Sequence, residues 1–297
     1  MKIRVSAWIT GPFLTLALLL TYNTVTVTAG SPWRWSLVLK QSVPKDAMIM
    51  PTAMYIDPDK GHYYVVDSGR NRLLSFDRRG ELLHIFNAGK ALDIPFDIIR
   101  TGQNGIWVVE KGKNSLSYID IKARKVVPHT LRYQGELIYP DRIEPLRDNI
   151  LVLDKATGNI IEYTADLVSR RLFSCDNCPW GFVDFKVYNG KIWALDQRNK
   201  TIQRFNPDGR VEQVLELGDE VNFPVSLAVG PSGYIYVLDR HRRDIAVFDR
   251  DGKFKYRFLR GGIAQGQLYY PIELRFDPWG GLCVVDEGNA RVEVFRR

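Results

Sequence analysis

The sequence predicts an all-β protein, a six-bladed β-propeller of four-stranded blades, on three observations. First, one frame recurs six times: a residue that is usually proline, an alternating apolar run, a turn, and a hydrophobic strand ending in an acid. The terminal acids are Asp67, Glu110, Asp154, Asp196, Asp239 and Asp286, at intervals of 43, 44, 42, 43 and 47 residues. Second, nine positions beyond each acid stand Phe76, Ile119, Tyr163, Phe205, Phe248 and Phe295, five aromatics and an isoleucine at one offset. Third, glycine-containing turns at Gly80, Gly209 and Gly252 fall where a tight hairpin needs positive φ angles. Self-similarity at this period, built from short strands with no helical pattern, is the signature of propeller blades.

Within each unit the strands are lettered a to d from the ring centre outward. Strand a begins at Pro51, Pro95, Pro140, Phe182, Pro224 and Pro271. Strand b reads "YYVVD", "IWVVE", "ILVLD", "IWALD", "IYVLD" and "LCVVD". The sixth repeat stops at "RVEVFRR" and lacks a strand d. The segment "WRWSLVLK", Trp33 to Lys40, supplies one: strict alternation would put Trp33, Trp35, Leu37 and Leu39 on one face. The expectation is that this segment pairs with the last repeat and latches the ring, which also removes two sheet edges.

Residues 1–29 read as a secretory signal, leaving 30–297 as a single propeller domain. Lys2 and Arg4 precede an uncharged run, and Val27 and Ala29 suit a cut after Ala29. An uncleaved anchor is the alternative, since the run from Val5 to Ala29 is long enough to span a bilayer; its Thr-rich second half favours cleavage. The expected location is secreted or periplasmic. Lys2 and Arg4 are two of the 41 basic residues, so the remainder carries 39 against 34 acids, a net of +5. That excess matters only where it is concentrated.

Three cysteines do not make a disulfide framework. Cys175 and Cys178, in "CDNC", are expected to close on each other in an oxidising compartment as a loop clamp. Pro179 stands where haem attachment needs histidine, and no second ligand pair completes a zinc site. Cys283 reads as a buried small hydrophobe.

The stretch "YVVDSGRNRLLSFDRRGELL" resembles the NHL repeat, through Asp67, Gly69, Asn71 and Arg72; repeat six resembles it through Asp286, Gly288 and Arg291. The resemblance spans about residues 45–297. It implies Asp67–Arg72 and Asp286–Arg291 bridges across the b–c turns. Repeats two to five have Ser115, Asn159, Thr201 and Asp244 at the arginine position, so their turns are held otherwise.

The resemblance also implies that the b–c turns and the d-to-a connections share one face, the usual ligand face of the family. The six turns hold Arg70, Lys111, Lys113, Lys155, Arg198, Lys200, Arg240, His241, Arg242 and Arg243, with Arg72 and Arg291 beside them. Converging on a ring, they would steer anions. A cluster of turn cations also has an ordinary reading, a solvated surface. Cytoplasmic relatives in the family bind RNA there, but the leader and the lack of aromatic residues in the turns argue against nucleic acid.

A second candidate lies at the channel mouth. Asp97, Arg142, Asp184 and Glu273 stand two residues after the start of strand a, and Glu144, Lys186 and Arg275 four after. Alternation turns them to one side of the inner strands, as ion pairs or as a carboxylate site for a divalent cation such as calcium. Four scattered histidines do not make the three-His zinc site of the amidating lyases. The expectation is a monomeric binding or scaffold module with no obligatory cofactor. Its partner would be an anionic protein, glycan or other envelope component, with membrane contact only through an uncleaved leader. The alternative is a metal-dependent lyase or lactonase-like enzyme using the channel-mouth carboxylates.

Overall fold

The computed structural model describes residues 32–40, 46–101, 105–123 and 125–297. The expected leader and its cleavage point lie outside them. The described residues form six four-stranded antiparallel sheets, each blade taken in chain order. Blade 1 comprises Pro51–Asp57, His62–Asp67, Arg72–Phe76 and Leu82–Phe86. Blade 2 comprises Pro95–Thr101, Gly105–Glu110, Ser115–Asp120 and Lys125–His129. Blade 3 comprises Pro140–Leu146, Asn149–Asp154, Ile160–Tyr163 and Ser169–Phe173. Blade 4 comprises Asp184–Tyr188, Lys191–Asp196, Thr201–Phe205 and Val211–Glu216. Blade 5 comprises Pro224–Val229, Ile235–Asp239, Asp244–Phe248 and Phe254–Phe258. Blade 6 comprises Pro271–Phe276, Leu282–Asp286 and Arg291–Arg296, completed by Arg34–Leu39 from the other end of the chain. A small hairpin, Arg132–Tyr133 with Glu136–Leu137, interrupts the connection between blades 2 and 3 and has no counterpart in the repeat frame.

Burial explains the strand chemistry. Strand b packs against neighbouring blades on both faces, so it reads as a continuous apolar run; the LCVVD strand of blade 6 is buried throughout. Strand d is at the rim and largely exposed, as in Leu82–Phe86. The residues at the nine-residue offset are at most 1 % exposed, so they wedge the blades together. The core is divided into clusters between adjacent blades. One gathers Met54, Val65 and Leu74 of blade 1 with Val285, Val292 and Val294 of blade 6 and with Leu39. The prolines pair opposite the strand-b acids in five blades, each followed by a β-bulge. A residue without an N–H is tolerated there because the ladder ends at that point.

The latch forms as expected: Arg34–Leu39 pairs antiparallel with Arg291–Arg296. Its facing differs. A bulge between Trp35 and Leu37 breaks the alternation. Trp33 joins the cluster between blades 5 and 6, whereas Leu39 joins the one between blades 6 and 1. Trp35 is left 39 % exposed, with its indole N–H on Glu293 at 2.5 Å. An extra residue in one strand reverses the side-chain alternation beyond it.

Candidate functional site

The strand-b acids organise the face that carries the b–c turns. Asp67 accepts the amides of Ile49 and Met50 at 3.0 and 3.2 Å. Glu110 accepts that of Asp93 at 2.8 Å, Asp154 that of Tyr139 at 2.8 Å, and Asp286 that of Tyr269 at 2.7 Å. Asp239 accepts Phe223 at 3.1 Å and Asn222 beside it. Each carboxylate thus ties the end of strand b to the connection that leads into strand a, satisfying amides that regular pairing leaves over. Backbone bonds add to this, Lys155 N–H to the Tyr139 carbonyl and Arg240 N–H to that of Phe223. The b–c turns and d-to-a connections are therefore one continuous surface. The fourth residue past each acid is left-handed in all six turns: Asn71, Asn114, Gly158, Lys200, Arg243 and Ala290.

Asp196 works differently, bonding the amides of Arg198 and Asn199 within its own turn. Ahead of blade 4 the connection is held by the Cys175–Cys178 disulfide. The two sulfurs approach Asp196, but being bonded to each other they offer no thiolate to a metal. Gly158 and Gly181 sit back to back: a Cβ on Gly158 would stand 2.4 Å from the Trp180 carbonyl oxygen and 2.5 Å from the Gly181 Cα. This close approach delivers Trp180 to the surface, 68 % exposed.

The Asp67–Arg72 bridge is present at 2.8 Å and buried. Asp286–Arg291 is looser, 3.7 Å, because the same guanidinium takes Glu293 at 2.8 Å and the carbonyls of Ile263, Ala264 and Gln267. Asp244, at the arginine position of repeat five, pairs with Arg257 of strand d at 3.0 Å. Burial still holds its carboxyl above the ordinary value.

The structure divides the predicted cationic residues. Lys111 pairs with Asp141 at 2.6 Å and lies over Phe96; burial lowers its pKa against the pull of Asp141. Lys113 pairs with Glu110 at 2.8 Å, and Arg240 with Glu287 of the next blade at 2.9 Å. Arg70 donates to the Ala47 carbonyl at 2.8 Å, and Lys200 lies 3.9 Å from Asp219. Lys155, Arg198, His241, Arg242 and Arg243 are exposed and run consecutively over blades 3, 4 and 5, with Arg242 also 3.9 Å from Asp239 and donating to the Asp219 carbonyl at 2.9 Å.

Aromatic residues stand beside this arc, and sequence reasoning confined to the turns missed them. They come from the d-to-a connections. Arg198 stacks over Trp180 at 4.9 Å, His241 on Phe223 at 4.2 Å, Arg240 over Tyr270 at 5.4 Å and Arg243 over Tyr269 at 5.6 Å. A signal was available for two of them: Phe223 and Tyr270 immediately precede the proline of strand a, as do Tyr139 and the apolar Ile94. Ile94 and Tyr270 are 44 % and 48 % exposed at φ of 46° and 52°, a region that bulky side chains seldom adopt.

The channel residues do converge, but they are buried. Asp97, Asp184 and Glu273 are each 1 % exposed and Arg142 5 %. Lys186 lies 2.9 Å from Asp184 and 3.6 Å from both Glu144 and Glu273. Arg275 bonds Glu144 at 2.7 Å and Glu273 at 2.9 Å. The position two residues into strand a also clasps the next blade. Glu273 accepts the Met54 amide at 2.8 Å, Asp97 that of Ile143 at 2.9 Å, Asp184 that of Leu227 at 3.1 Å, and the Ser226 hydroxyl that of Leu274 at 3.1 Å. Four carboxylates share this space with three cations. Burial, with Glu273 adding to it, pushes Asp97 up to about 7. Burial would raise Glu273 too, but Arg275, Lys186 and Arg142 outweigh it and hold Glu273 low. A divalent cation here would have to displace these ammonium and guanidinium groups.

No protein-family model matches the chain. Among characterised proteins it is similar to the E3 ubiquitin-protein ligase NHLRC1 of Rattus norvegicus, 23 % identical over 273 residues, covering 84 % of this chain and 67 % of that protein. The Mus musculus counterpart is equally similar. Among solved structures, virginiamycin B lyase from Staphylococcus aureus superposes with a TM-score of 0.64 at 13 % identity, over 89 % of this chain and 99 % of that one. A gluconolactonase from Xanthomonas campestris superposes with a TM-score of 0.63 at 14 % identity, over 84 % and 86 %. At these identities the structural likenesses establish the fold alone.

Proposed function

We propose that this chain, an NHL-repeat-like six-bladed β-propeller, is an extracytoplasmic binding or scaffold module that takes an anionic partner on its b–c face. The observation that carries this reading is the arc of Lys155, Arg198, His241, Arg242 and Arg243, interleaved with Trp180, Phe223, Tyr269 and Tyr270. Tryptophan, tyrosine and arginine dominate binding energy at protein interfaces, and a one-sided charge steers encounter. The bonded Cys175–Cys178 pair supports an oxidising compartment. The lyase or lactonase alternative loses support because the carboxylates it would use are occupied by Lys186, Arg275 and backbone amides.

The test is charge reversal. Proteins that co-purify from envelope extract with the unaltered chain are compared with those retained by the Arg198→Glu, Arg242→Glu, Arg243→Glu triple variant. Lys253→Glu, in a c–d turn on the opposite face, is the control. Partners lost only from the triple variant support the reading; identical retention by all three rejects it. N-terminal sequencing of the mature chain, expected to begin at Gly30, tests the location.

A further inference from the structure

We propose that the cleft between blades 5 and 6, on the face away from the b–c turns, is a binding site for a small planar aromatic anion. The a–b turns of the two blades and the ends of the latched strands enclose a cavity of about 380 Å³, within the usual range of about 300–1,000 Å³ for small-molecule sites. Its walls are rings: Trp33, Tyr236, Phe276 and Trp279. Tyr236 meets Trp33 edge-on at 5.8 Å and Phe276 edge-on at 5.1 Å. Gly230 keeps the space open, since a Cβ there would stand 3.1 Å from the Tyr236 ring and 3.2 Å from that of Phe276. Trp33 and Tyr236 form the buried floor, and Phe276 and Trp279, only partly buried, offer ring surface to a flat ligand.

Two guanidinium groups supply the charge. Arg296 pairs with Asp277 at 3.2 Å. That carboxylate is already committed to the Tyr63 hydroxyl and to the amides of Trp279 and Gly281. Arg297 is different. It lies 4.9 Å over the Trp33 ring and donates to the neutral Tyr236 hydroxyl at 2.5 Å. Among the described residues no side-chain carboxylate pairs with it, and a guanidinium with donors to spare beside an aromatic wall selects a carboxylate or sulfonate carried on a ring. Because this cleft shares no residue with the arc on the b–c face, the two readings stand or fall separately.

The probe is 2-naphthoate, titrated into the full chain by calorimetry at pH 7, with uncharged 2-naphthol as its counterpart. One site per chain is expected, with the anion bound about tenfold more tightly than the phenol, the order of one charge-assisted hydrogen bond. Arg297→Gln, at an exposed position, should abolish that preference while both compounds still bind. Ser232→Trp, at the exposed rim, should block both. No saturable binding of 2-naphthoate, an anion preference that survives Arg297→Gln, or binding unaffected by Ser232→Trp would each overturn the proposal.

Discussion

The carboxylate of Glu273, in the last blade, accepts the amide of Met54, in the first, at 2.8 Å. The same carboxylate holds Arg275 at 2.9 Å and Lys186 at 3.6 Å, all within the buried centre. Glu273→Ala should therefore destabilise the fold by about 3–5 kcal/mol, the range for stranding buried partners. Glu273→Gln, which still accepts the amide, should cost less. Urea unfolding at pH 7 measures both; a Glu273→Ala loss below about 1 kcal/mol would show that the centre tolerates an open seam.

Asp97 ties stability to pH. Its carboxyl stands at about 7 in the folded protein against an ordinary 3.8, burial being the main cause. Between those values the native state holds a proton that the unfolded chain has released. Its contribution is full below about pH 4, falls as pH rises, and is gone above about 7. Asp97→Asn should remove that decline. Denaturation midpoints of both proteins from pH 4 to 8 test it, and two parallel curves would be the contrary result.

Burial should separate two superficially similar ion pairs. Arg72–Asp67 is 8 % and 0 % exposed, whereas Arg79–Asp77 is 79 % and 22 % exposed. Arg72→Ala is expected to cost about 3–5 kcal/mol, and Arg79→Ala to leave stability essentially unchanged. Thermal unfolding ranks them; equal shifts would contradict the assignment of Arg72 as a turn anchor.

The bulge in the latch makes a graded prediction. Leu39 is fully buried and Trp35 is 39 % exposed. Leu39→Ala should destabilise by about 2–5 kcal/mol as a core truncation. Trp35→Ala, which loses one hydrogen bond and a partly exposed ring, should cost about 1 kcal/mol. The reverse order in chemical denaturation would mean that the alternation is unbroken.

Trp180 should matter to binding and not to folding. With Arg198 stacked on it and most of its surface open, Trp180→Ala is expected to weaken a b–c-face partner by about 2 kcal/mol, roughly thirtyfold in Kd. The melting temperature should stay unchanged. Unaltered affinity for a partner that charge reversal abolishes would exclude the aromatic residue from the contact.

The blade frame was legible because it rests on local periodicity: the strand-b acids, the offset aromatics and the hairpin glycines each announce themselves within one repeat. What stayed hidden depends on neighbours that no single repeat contains. That Asp97 meets the Ile143 amide and Asp184 that of Leu227 follows from how far apart two inner strands stand in a closed ring. The set of channel charges could be read from alternation, but not which side chains staple and which neutralise. Asp244 found Arg257 because the c–d hairpin register brings strand d alongside it. Trp35 was misplaced because a bulge leaves no mark in the apolar pattern. Of the aromatic residues beside the turns, Phe223 and Tyr270 stand one residue ahead of a strand-a proline, whereas Trp180 and Tyr269 hold positions that the repeat frame does not mark.

The strand that completes blade 6 joins two segments far apart in the chain: Trp35 lies opposite Phe295. Arg34–Leu39 has no partner strand until Arg291–Arg296, about 250 residues further along the chain, is in place. Contacts so distant along the chain form slowly. Blades 1 to 5 can each assemble as they appear, yet the circle has no finished state until the ends meet. A chain stopped before residue 291 would keep a waiting strand at one end and the bare edge of Leu282–Asp286 at the other, both open to pairing with a second incomplete copy.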